Sequence, residues 1–218
     1  MAEATLIISS KNYSAWSLRG WLMAKFAGLD IAEQMVSIDD ADARAELLLL
    51  SSSTLVPCLV HEGTRIWDTV AIGEYLAEIR PDAGLLPDDR AARARCRSIC
   101  GEMHSGFNAL RSALPMNLKR LHRGFKVWSN AQADIARITT IWRDCFKTYG
   151  GPYLFGQQRC MADAMYAPVV TRFRTYDVTL DPDCAAYCHT ILAMPEFIEW
   201  DQAAKQEPED LPELESEF

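Results

Sequence analysis

Over the first eighty residues, the apolar positions fall into two patterns: short apolar runs typical of strands, and the spacing typical of helices. Residues 4–9, a short apolar run rich in β-branched side chains, predict a buried strand. From Ser17 onward apolar residues recur at helical spacing, so we expect Ser17 to cap a helix and Gly28 to end it in the left-handed conformation. The short turn 62–64 predicts an antiparallel hairpin. The other elements predicted up to residue 79 are a strand at 33–38, a helix at 42–50, strands at 57–61 and 65–67, and a helix with apolar positions at 72, 75, 76 and 79.

Beyond residue 80 the pattern is almost entirely helical. The segment 81–90 contains two prolines and a glycine, which break helical continuation and mark a domain boundary. We therefore expect one domain over 1–80, a linker over 81–90 and an all-helical domain over 91–218. The helices predicted in the second domain are 91–114, 130–148, 161–176, 182–192 and 195–204.

Composition and charge narrow the range of functions. The chain has 218 residues, of which 49% are hydrophobic and 24% charged, as in average soluble proteins, and its apolar runs are far shorter than the ~20 residues of a membrane span. The net charge of −8 comes from residues 1–80 and from 201–218, a predicted solvated tail. Residues 81–200 carry a mildly positive net charge, which can attract small anions but is too weak to predict a nucleic-acid surface. Seven cysteines without a regular framework, and a start without a secretory signal, predict a cytoplasmic protein with reduced thiols.

Val56-Pro57 is the first of three motifs that carry candidate chemistry. Proline is tolerated at the first residue of a strand, where it can take the cis form. A cis Pro57 would turn the Val56 backbone outward, so that its N–H and C=O pair with an extended peptide as an added strand. An ordinary trans proline at a strand entrance is the alternative.

The second motif, Trp67-Asp68-Thr69, lies where a strand gives way to a helix. The amide and hydroxyl of Thr69 at a helix N-terminus can hold a carboxylate, and Asp68 can accept an ammonium group. Together they fit the zwitterionic head of an amino acid. Taken alone, Asp68 would more commonly be a helix cap.

The third motif is the polar loop 11–19 between the first strand and the first helix. A hydroxyl in this loop points at whatever lies over the helix N-terminus, where a thiolate is also stabilised. With Ser17 taken as the cap, Ser14 is the freer hydroxyl and Tyr13 is its main rival.

These three motifs, in this order ahead of an all-helical second half, resemble the cytosolic glutathione transferases. The resemblance covers essentially the whole chain and implies an α/β, thioredoxin-like N-terminal domain followed by an all-α C-terminal domain. Residues 13–19 are similar to the serine motif of the zeta-type and related bacterial transferases, which implies that Ser14 is the catalytic serine. It also implies that glutathione is the co-substrate, that a small electrophile is the second substrate, and that the protein is a symmetric homodimer.

The resemblance also implies the residues that line the site. The second substrate would contact Phe107 and Arg111, on one face of the first long helix, although Phe107 as core and Arg111 as a solvated charge is the alternative. Tyr166 and Arg172 are further candidates for the same pocket. The expected glutathione-binding residues are Trp16, Val56, Pro57, Asp68, Thr69 and Asn108.

A metal site is not expected. The cysteine pairs 96/100 and 184/188 have a spacing of four, which would supply half a site each, but they fall in separate predicted helices, and buried free cysteines are common. No Cys-x-x-Cys occurs, and Trp16 replaces the cysteine often found in the zeta-type motif, so thiol oxidoreductase chemistry is disfavoured. Membrane and nucleic-acid partners are not expected either.

Three readings of function follow, and two further departures from the family are stated beside them. The main prediction is a transferase in which Ser14 donates a hydrogen bond to the glutathione thiolate. A glutathione-dependent isomerase or dehalogenase of small acids, held by Arg111 and Arg172, is the first alternative. A non-catalytic interaction protein on the same fold is the second, and it gains support from Leu55, which stands where the family often has Lys or Gln. The other departure is Cys160, where the family's helix-capping box has Ser or Thr.

Overall fold

The computed structural model describes residues 2–36 and 55–208, and the helix predicted at 42–50 lies outside these ranges. Strands and helices alternate up to residue 79, and the described elements from residue 90 onward are helices. In chain order the elements are β1 (Ala4–Ile8), α1 (Ala15–Phe26), β2 (Ile31–Met35), β3 (Cys58–His61), β4 (Thr64–Trp67), α2 (Thr69–Ile79), a 3-10 turn (Pro81–Ala83), α3 (Arg90–Ser105), α4 (Asn108–Ala113), α5 (Ser129–Tyr149), α6 (Met161–Thr175), α7 (Pro182–Leu192) and α8 (Pro195–Gln206).

The four strands form one mixed sheet in the order β2-β1-β3-β4. β1 pairs with β2 in parallel and with β3 antiparallel, and β3 and β4 form the predicted hairpin. Leu6 lies opposite Leu59, and both are completely buried in the main core. Ile7 and Cys58 face the other side of the sheet because successive strand side chains point to opposite faces. This mixed sheet with α1 and α2 is a thioredoxin-like arrangement.

Helix α6 is the centre of the helical part. All but one of its 15 residues are buried, which is the pattern of a helix surrounded by protein. It packs against α1 on one side and α3 on another, so one continuous core joins the sheet to the helical part. Trp142 of α5 anchors the aromatic cluster beside it, with ring centroids 4.8 Å from Tyr187 and 5.6 Å from Phe173.

The start of α6 is held by Asp163 although Cys160 replaces the usual hydroxyl residue. Asp163 Oδ2 accepts a hydrogen bond from the Cys160 N–H at 2.8 Å, and Oδ1 accepts from the Leu154 N–H and the Tyr187 hydroxyl at 3.1 and 3.0 Å. Burial raises the pKa of Asp163, and these hydrogen bonds oppose that rise. The capping box therefore closes without a serine or threonine.

The single helix predicted over 91–114 is wrong, because the chain breaks between α3 and α4. Phe107 takes a left-handed conformation with φ of 58°. A Cβ on Gly106 would lie 2.7 Å from the Glu102 carbonyl oxygen, so the break needs glycine there. Apolar spacing continues across the break through Met103, Phe107 and Leu110, and for that reason the pattern did not reveal it.

Other predicted elements agree more closely with the structure. Gly28 has a φ of 67° and ends α1 as expected. Strand β2 begins two residues before its predicted start, where Ile31 pairs with Ala4 of β1. Among the described residues, no helix combines the length and the apolar character needed to cross a bilayer.

Candidate active site

The three sequence motifs meet around the N-terminal half of α1. A Cβ built on Gly20 of α1 would lie 2.5 Å from Pro57 Cγ, so the ring of Pro57 packs directly on this helix. One turn earlier, the ring of Trp16 lies 5.4 Å from that of His104, and His104 Nε2 lies 2.5 Å from Asp68 Oδ2. The loop before α1, the Val56-Pro57 turn and the start of α2 therefore surround one end of α1.

Ser14, not Ser17, is the N-cap of α1, so the predicted cap is wrong. Ser14 Oγ accepts a hydrogen bond from the Ser17 N–H at 3.2 Å, and the helix begins at Ala15. Ser17 is completely buried, and its Oγ accepts the Ser9 N–H at 3.1 Å. The two hydroxyl oxygens, of Ser14 and Ser17, lie 2.8 Å apart. Ser14 remains partly exposed, so the cap residue is also the hydroxyl at the surface of the loop.

Asp68 caps α2 with one carboxylate oxygen and faces His104 with the other. Oδ1 accepts hydrogen bonds from the N–H groups of Val70 and Ala71 at 2.8 and 3.3 Å. The backbone of Asp68 has a φ of 75°, which turns the chain sharply from β4 into α2. The hydroxyl of the next residue, Thr69, is buried and has no hydrogen-bond partner within the described residues. Asp68 can therefore cap α2 with Oδ1 and still offer Oδ2 to a ligand.

The Val56-Pro57 peptide bond is cis, as the sequence allowed. Within the described part of the chain, the N–H and C=O of Val56 make no hydrogen bond. Leu55 beside it is 63% exposed and offers an apolar side chain. Among the described residues, the backbone of Val56 just before β3 is therefore open for pairing with a ligand.

A cluster of arginines surrounds Trp16. The guanidinium carbons of Arg19 and Arg111 lie 4.5 and 4.7 Å from the Trp16 ring centroid, within the range of cation–π attraction. Burial and the nearby positive charges of Arg172 and Arg111 hold the pKa of Arg19 well below its usual value. Burial lowers the pKa of Arg172 to about 10. None of the three forms an ion pair with a carboxylate of the described residues, which leaves a positive potential at this end of α1.

The arginines are tied to backbone carbonyls. Arg19 Nε donates to Met165 O at 2.8 Å, and Arg172 Nε donates to Leu114 O at 2.8 Å. Arg111 donates to the carbonyl oxygens of Met103, His104 and Gly106 at the end of α3. Arg111 is therefore half-buried and structural as well as positive, rather than the solvated charge that was its alternative reading.

The remaining predicted site residues are dispersed. Phe107 is buried at the junction of α3 and α4, and Asn108 at the start of α4 is exposed. Tyr166 is completely buried, and its hydroxyl donates to Ile99 O at 3.2 Å. We correct its expected role, because it has no surface to offer a substrate. Phe107, Asn108 and Arg111 belong to the short helix α4 and its N-cap, and not to the first long helix as predicted.

Two residues of the site were not found from the sequence. The contact of His104 with Asp68 spans 36 residues of chain, so no local pattern marks it. Ser17 was assigned only to capping. Its burial beside Ser14 follows from the helix starting three residues earlier than predicted.

Comparison with known proteins identifies relatives of this chain in sequence and in fold. Residues 13–79 match the model of the glutathione S-transferase N-terminal domain. The chain is 27% identical over 173 residues to a probable maleylacetoacetate isomerase of Caenorhabditis elegans, covering 79% of both chains. A glutathione transferase homologue from Burkholderia gl BGR1, solved with bound glutathione, has the same fold, with a TM-score of 0.69, 22% identity, and coverage of 95% of this chain and 100% of that one.

Glutathione S-transferase 1 of Dianthus caryophyllus is 30% identical over 164 residues, which cover 74% of this chain and 73% of that one. On this similarity, together with the matched N-terminal domain, the chain belongs to the glutathione S-transferase family.

Proposed function

We propose that this protein is a glutathione transferase that activates the glutathione thiol for attack on a small electrophile. The observation that carries the proposal is a partly exposed serine hydroxyl at the N-cap of α1. Pro57 packs on this same helix, and its Trp16 contacts His104, which reaches Asp68. The thiol loses its proton to solvent, and the sulfur forms a bond to the electrophilic carbon. In a substitution the bond to the leaving group breaks and its electron pair departs with that group. In an addition the π bond of the acceptor breaks, its electron pair moves away from the attacked carbon, and a proton from solvent is taken up there.

Glutathione would lie extended across this end of the first domain. Its γ-glutamyl ammonium would face Asp68 Oδ2, and its γ-glutamyl carboxylate would accept from the unpartnered Thr69 hydroxyl and the start of α2. The cysteinyl backbone would pair with the N–H and C=O of Val56. Trp16, Pro57 and Asn108 would border the same groove. The apolar side chain of Leu55 offers glutathione no hydrogen bond, so we expect the affinity for glutathione to depend on Asp68 and Val56.

Ser14 is suited to stabilise the thiolate while keeping its own proton. A free thiol has a pKa of about 8.5, and lowering it by about two units requires roughly 2.7 kcal/mol of preferential stabilisation of the anion. A hydroxyl donor to a charged acceptor supplies on the order of 1.5–3 kcal/mol, and a helix N-terminus about 0.3–1 kcal/mol more. The two contributions together are sufficient.

Ser17 supports this donation. A hydroxyl has one proton and two acceptor positions, and the protons of the Ser14–Ser17 pair can point either way. With the Ser9 N–H donating to Ser17 and the Ser17 hydroxyl donating to Ser14, the Ser14 proton is free to face sulfur. Each donor in such a chain polarises the next.

A second candidate function is the glutathione-dependent isomerisation of a small unsaturated acid. Arg111, the half-buried member of the positive cluster, has no carboxylate ion-pair partner among the described residues. With the buried charges of Arg19 and Arg172 behind it, it favours an acidic second substrate. Phe107 would contribute apolar wall beside it. A relative named as a maleylacetoacetate isomerase adds support.

Assembly and location are also proposals. Family membership supports a symmetric homodimer and a cytoplasmic protein that works with glutathione and a small electrophile. Sedimentation at micromolar concentration tests the dimer.

Titration of glutathione by calorimetry, followed by an electrophile panel, tests the proposed function. We expect heat of binding, turnover of an aromatic halide and, for the second function, turnover of a maleyl-type acid. Absence of binding at millimolar glutathione would overturn both and favour the non-catalytic reading.

A further inference from the structure

The residue that follows the last helix lies against the loop that carries Ser14. Glu207 comes directly after α8, and its side chain accepts three hydrogen bonds from this loop. Oε1 accepts from the Lys11 N–H at 2.6 Å, and Oε2 accepts from the Ser10 hydroxyl at 2.7 Å and from the Asn12 N–H at 3.1 Å. One carboxylate from the far end of the chain therefore holds three consecutive residues between β1 and α1.

The same loop residues hold Ser14. Ser10 Oγ, whose proton is donated to Glu207, also accepts from the N–H of Tyr13 at 3.3 Å. The carbonyl oxygen of Ser10 accepts from the Ser14 N–H at 2.9 Å. A path of two hydrogen bonds through Ser10 thus connects the Glu207 carboxylate to the backbone of the proposed catalytic residue.

Glu207 is itself held in place from a third direction. The ammonium group of Lys119 donates to the Glu207 carbonyl oxygen at 2.6 Å. The N–H of Lys119 and that of Leu118 donate to the side-chain oxygen of Asn12 at 3.2 and 2.7 Å. The 10–12 loop, the 118–119 segment and residue 207 therefore form one junction.

Helix α8 adds a second link to the loop. Trp200 Nε1 donates to the Lys11 carbonyl oxygen at 2.9 Å, and the Lys11 ammonium lies 5.2 Å from the Trp200 ring centroid. Lys11 also pairs with Glu33 at 2.5 Å. The loop is thus tied to α8 before Glu207 adds its three bonds, which orients the carboxylate toward the loop amides.

We propose that Glu207 is a positioning residue that fixes the loop 10–14 and, through it, the Ser14 hydroxyl. The catalytic part of this inference rests on the proposed function, because it assumes that Ser14 faces the glutathione sulfur. Hydrogen-bond donors act on a reacting atom only when held close to the productive geometry, and a misplacement of about 1 Å can cost on the order of 100-fold in rate. The loop 10–14 is not paired in a sheet or a helix, so side-chain acceptors must hold it in position. Among the described residues, the Glu207 carboxylate accepts hydrogen bonds from three groups of this loop.

Glu207→Ala and Glu207→Gln, compared with Glu199→Gln, test the proposal in the full chain. Glu199 is a matched control because it also joins the C-terminal helix to α1, through an ion pair with Lys25 at 2.9 Å, but does not touch the loop. Hydrogen exchange of amides 10–14, calorimetric affinity for glutathione, thiolate absorbance of the bound complex, and kcat and KM are measured for each.

In Glu207→Ala we expect loop exchange to rise about tenfold or more and kcat to fall about tenfold, with glutathione affinity changed by less than about threefold. In Glu207→Gln both the rise in loop exchange and the fall in kcat should be smaller, because the amide oxygen of glutamine still accepts hydrogen bonds from the loop. The thiolate absorbance should fall with kcat. Glu199→Gln should match the wild type in all four measurements.

Two results overturn the proposal. If loop exchange in Glu207→Ala equals that of the wild type, Glu207 does not fix the loop. If exchange rises while kcat and thiolate absorbance stay unchanged, the loop position does not control Ser14. A wild type that binds no glutathione overturns the proposed function itself and with it the link to catalysis, and this result is seen before any variant is made.

Discussion

His104 Nε2 lies 2.5 Å from Asp68 Oδ2, which joins the end of α3 to the start of α2. The other carboxylate oxygen of Asp68 is already used by the N–H groups of Val70 and Ala71. The carboxylate that faces the proposed γ-glutamyl site is therefore held in place by two elements before any ligand arrives. Such preorganisation reduces the entropy lost on binding.

Asp68→Asn should weaken glutathione binding while leaving the fold intact. Asparagine caps helices as well as aspartate does, so the free energy of unfolding should change little. The lost charge removes a charge-assisted interaction of about 1.5–3 kcal/mol, which raises Kd by roughly tenfold or more. Asp68→Ala should show the same loss of affinity and a further loss of about 1 kcal/mol in stability. Unchanged retention of both variants on a glutathione column would contradict the role given to Asp68.

Ser14→Ala should abolish most of the thiolate absorbance of bound glutathione while leaving affinity nearly unchanged. Since Ser14 also caps α1, this variant should lose about 1 kcal/mol of stability, whereas Ser14→Gly should lose only a few tenths. Both variants should lose the thiolate signal equally, which separates catalysis from capping. Tyr13→Phe is the control. If it removes the signal and Ser14→Ala does not, Tyr13 is the activating residue.

Ser17→Ala should reduce the thiolate signal partially and destabilise the protein. The Ser9 N–H would lose its acceptor in a buried site, at a cost of about 1–3 kcal/mol. Ser14 would keep its proton but lose the donor that polarises it. Ultraviolet difference spectra with glutathione, together with urea denaturation, measure the two effects, and a full thiolate signal would exclude the proposed hydroxyl chain.

Gly20→Ala should destabilise the protein and weaken glutathione binding, whereas Gly73→Ala should do neither. A Cβ on Gly20 meets Pro57 Cγ and Cβ at 2.5 and 2.8 Å, and the rigid ring can yield only by shifting the Val56-Pro57 turn. We expect a cost of about 1–3 kcal/mol. A Cβ on Gly73 meets the ends of Met161 and Met23 at 2.8–2.9 Å, which can rotate away. Equal unfolding midpoints for the two variants would contradict this difference.

Tyr187→Phe should cost more stability than Tyr166→Phe. The Tyr187 hydroxyl donates to the buried Asp163 carboxylate at 3.0 Å, a charged acceptor worth about 1.5–3 kcal/mol. The Tyr166 hydroxyl donates to the neutral Ile99 carbonyl at 3.2 Å, worth about 0.5–1.5 kcal/mol. Urea denaturation gives the two values. Tyr166→Phe should leave KM for the electrophile unchanged, and a raised KM would restore Tyr166 to the pocket.

Much of the secondary structure was predictable because its causes are local. Apolar spacing located α5, α6 and α7 to within one residue at each end, and Gly28 ended α1 as its conformational freedom suggests. The break at Gly106 and Phe107 was not predictable, since the apolar spacing continues through it. Ser17 was predicted as the N-cap and Ser14 is the observed one. The two serines lie three residues apart, and either could cap the start of α1 as far as the local sequence shows.

The order of the Ser14, Val56-Pro57 and Asp68-Thr69 motifs ahead of a helical half was enough, by itself, to indicate the family, since each motif consists of adjacent residues and is visible without its tertiary contacts. Only the tertiary structure placed His104 on Asp68, Arg111 on Trp16, and Glu207 on the loop before Ser14. These contacts span from 36 to 197 residues. They follow from how the buried helix α6 joins the sheet to the helical part, and no local periodicity encodes that packing.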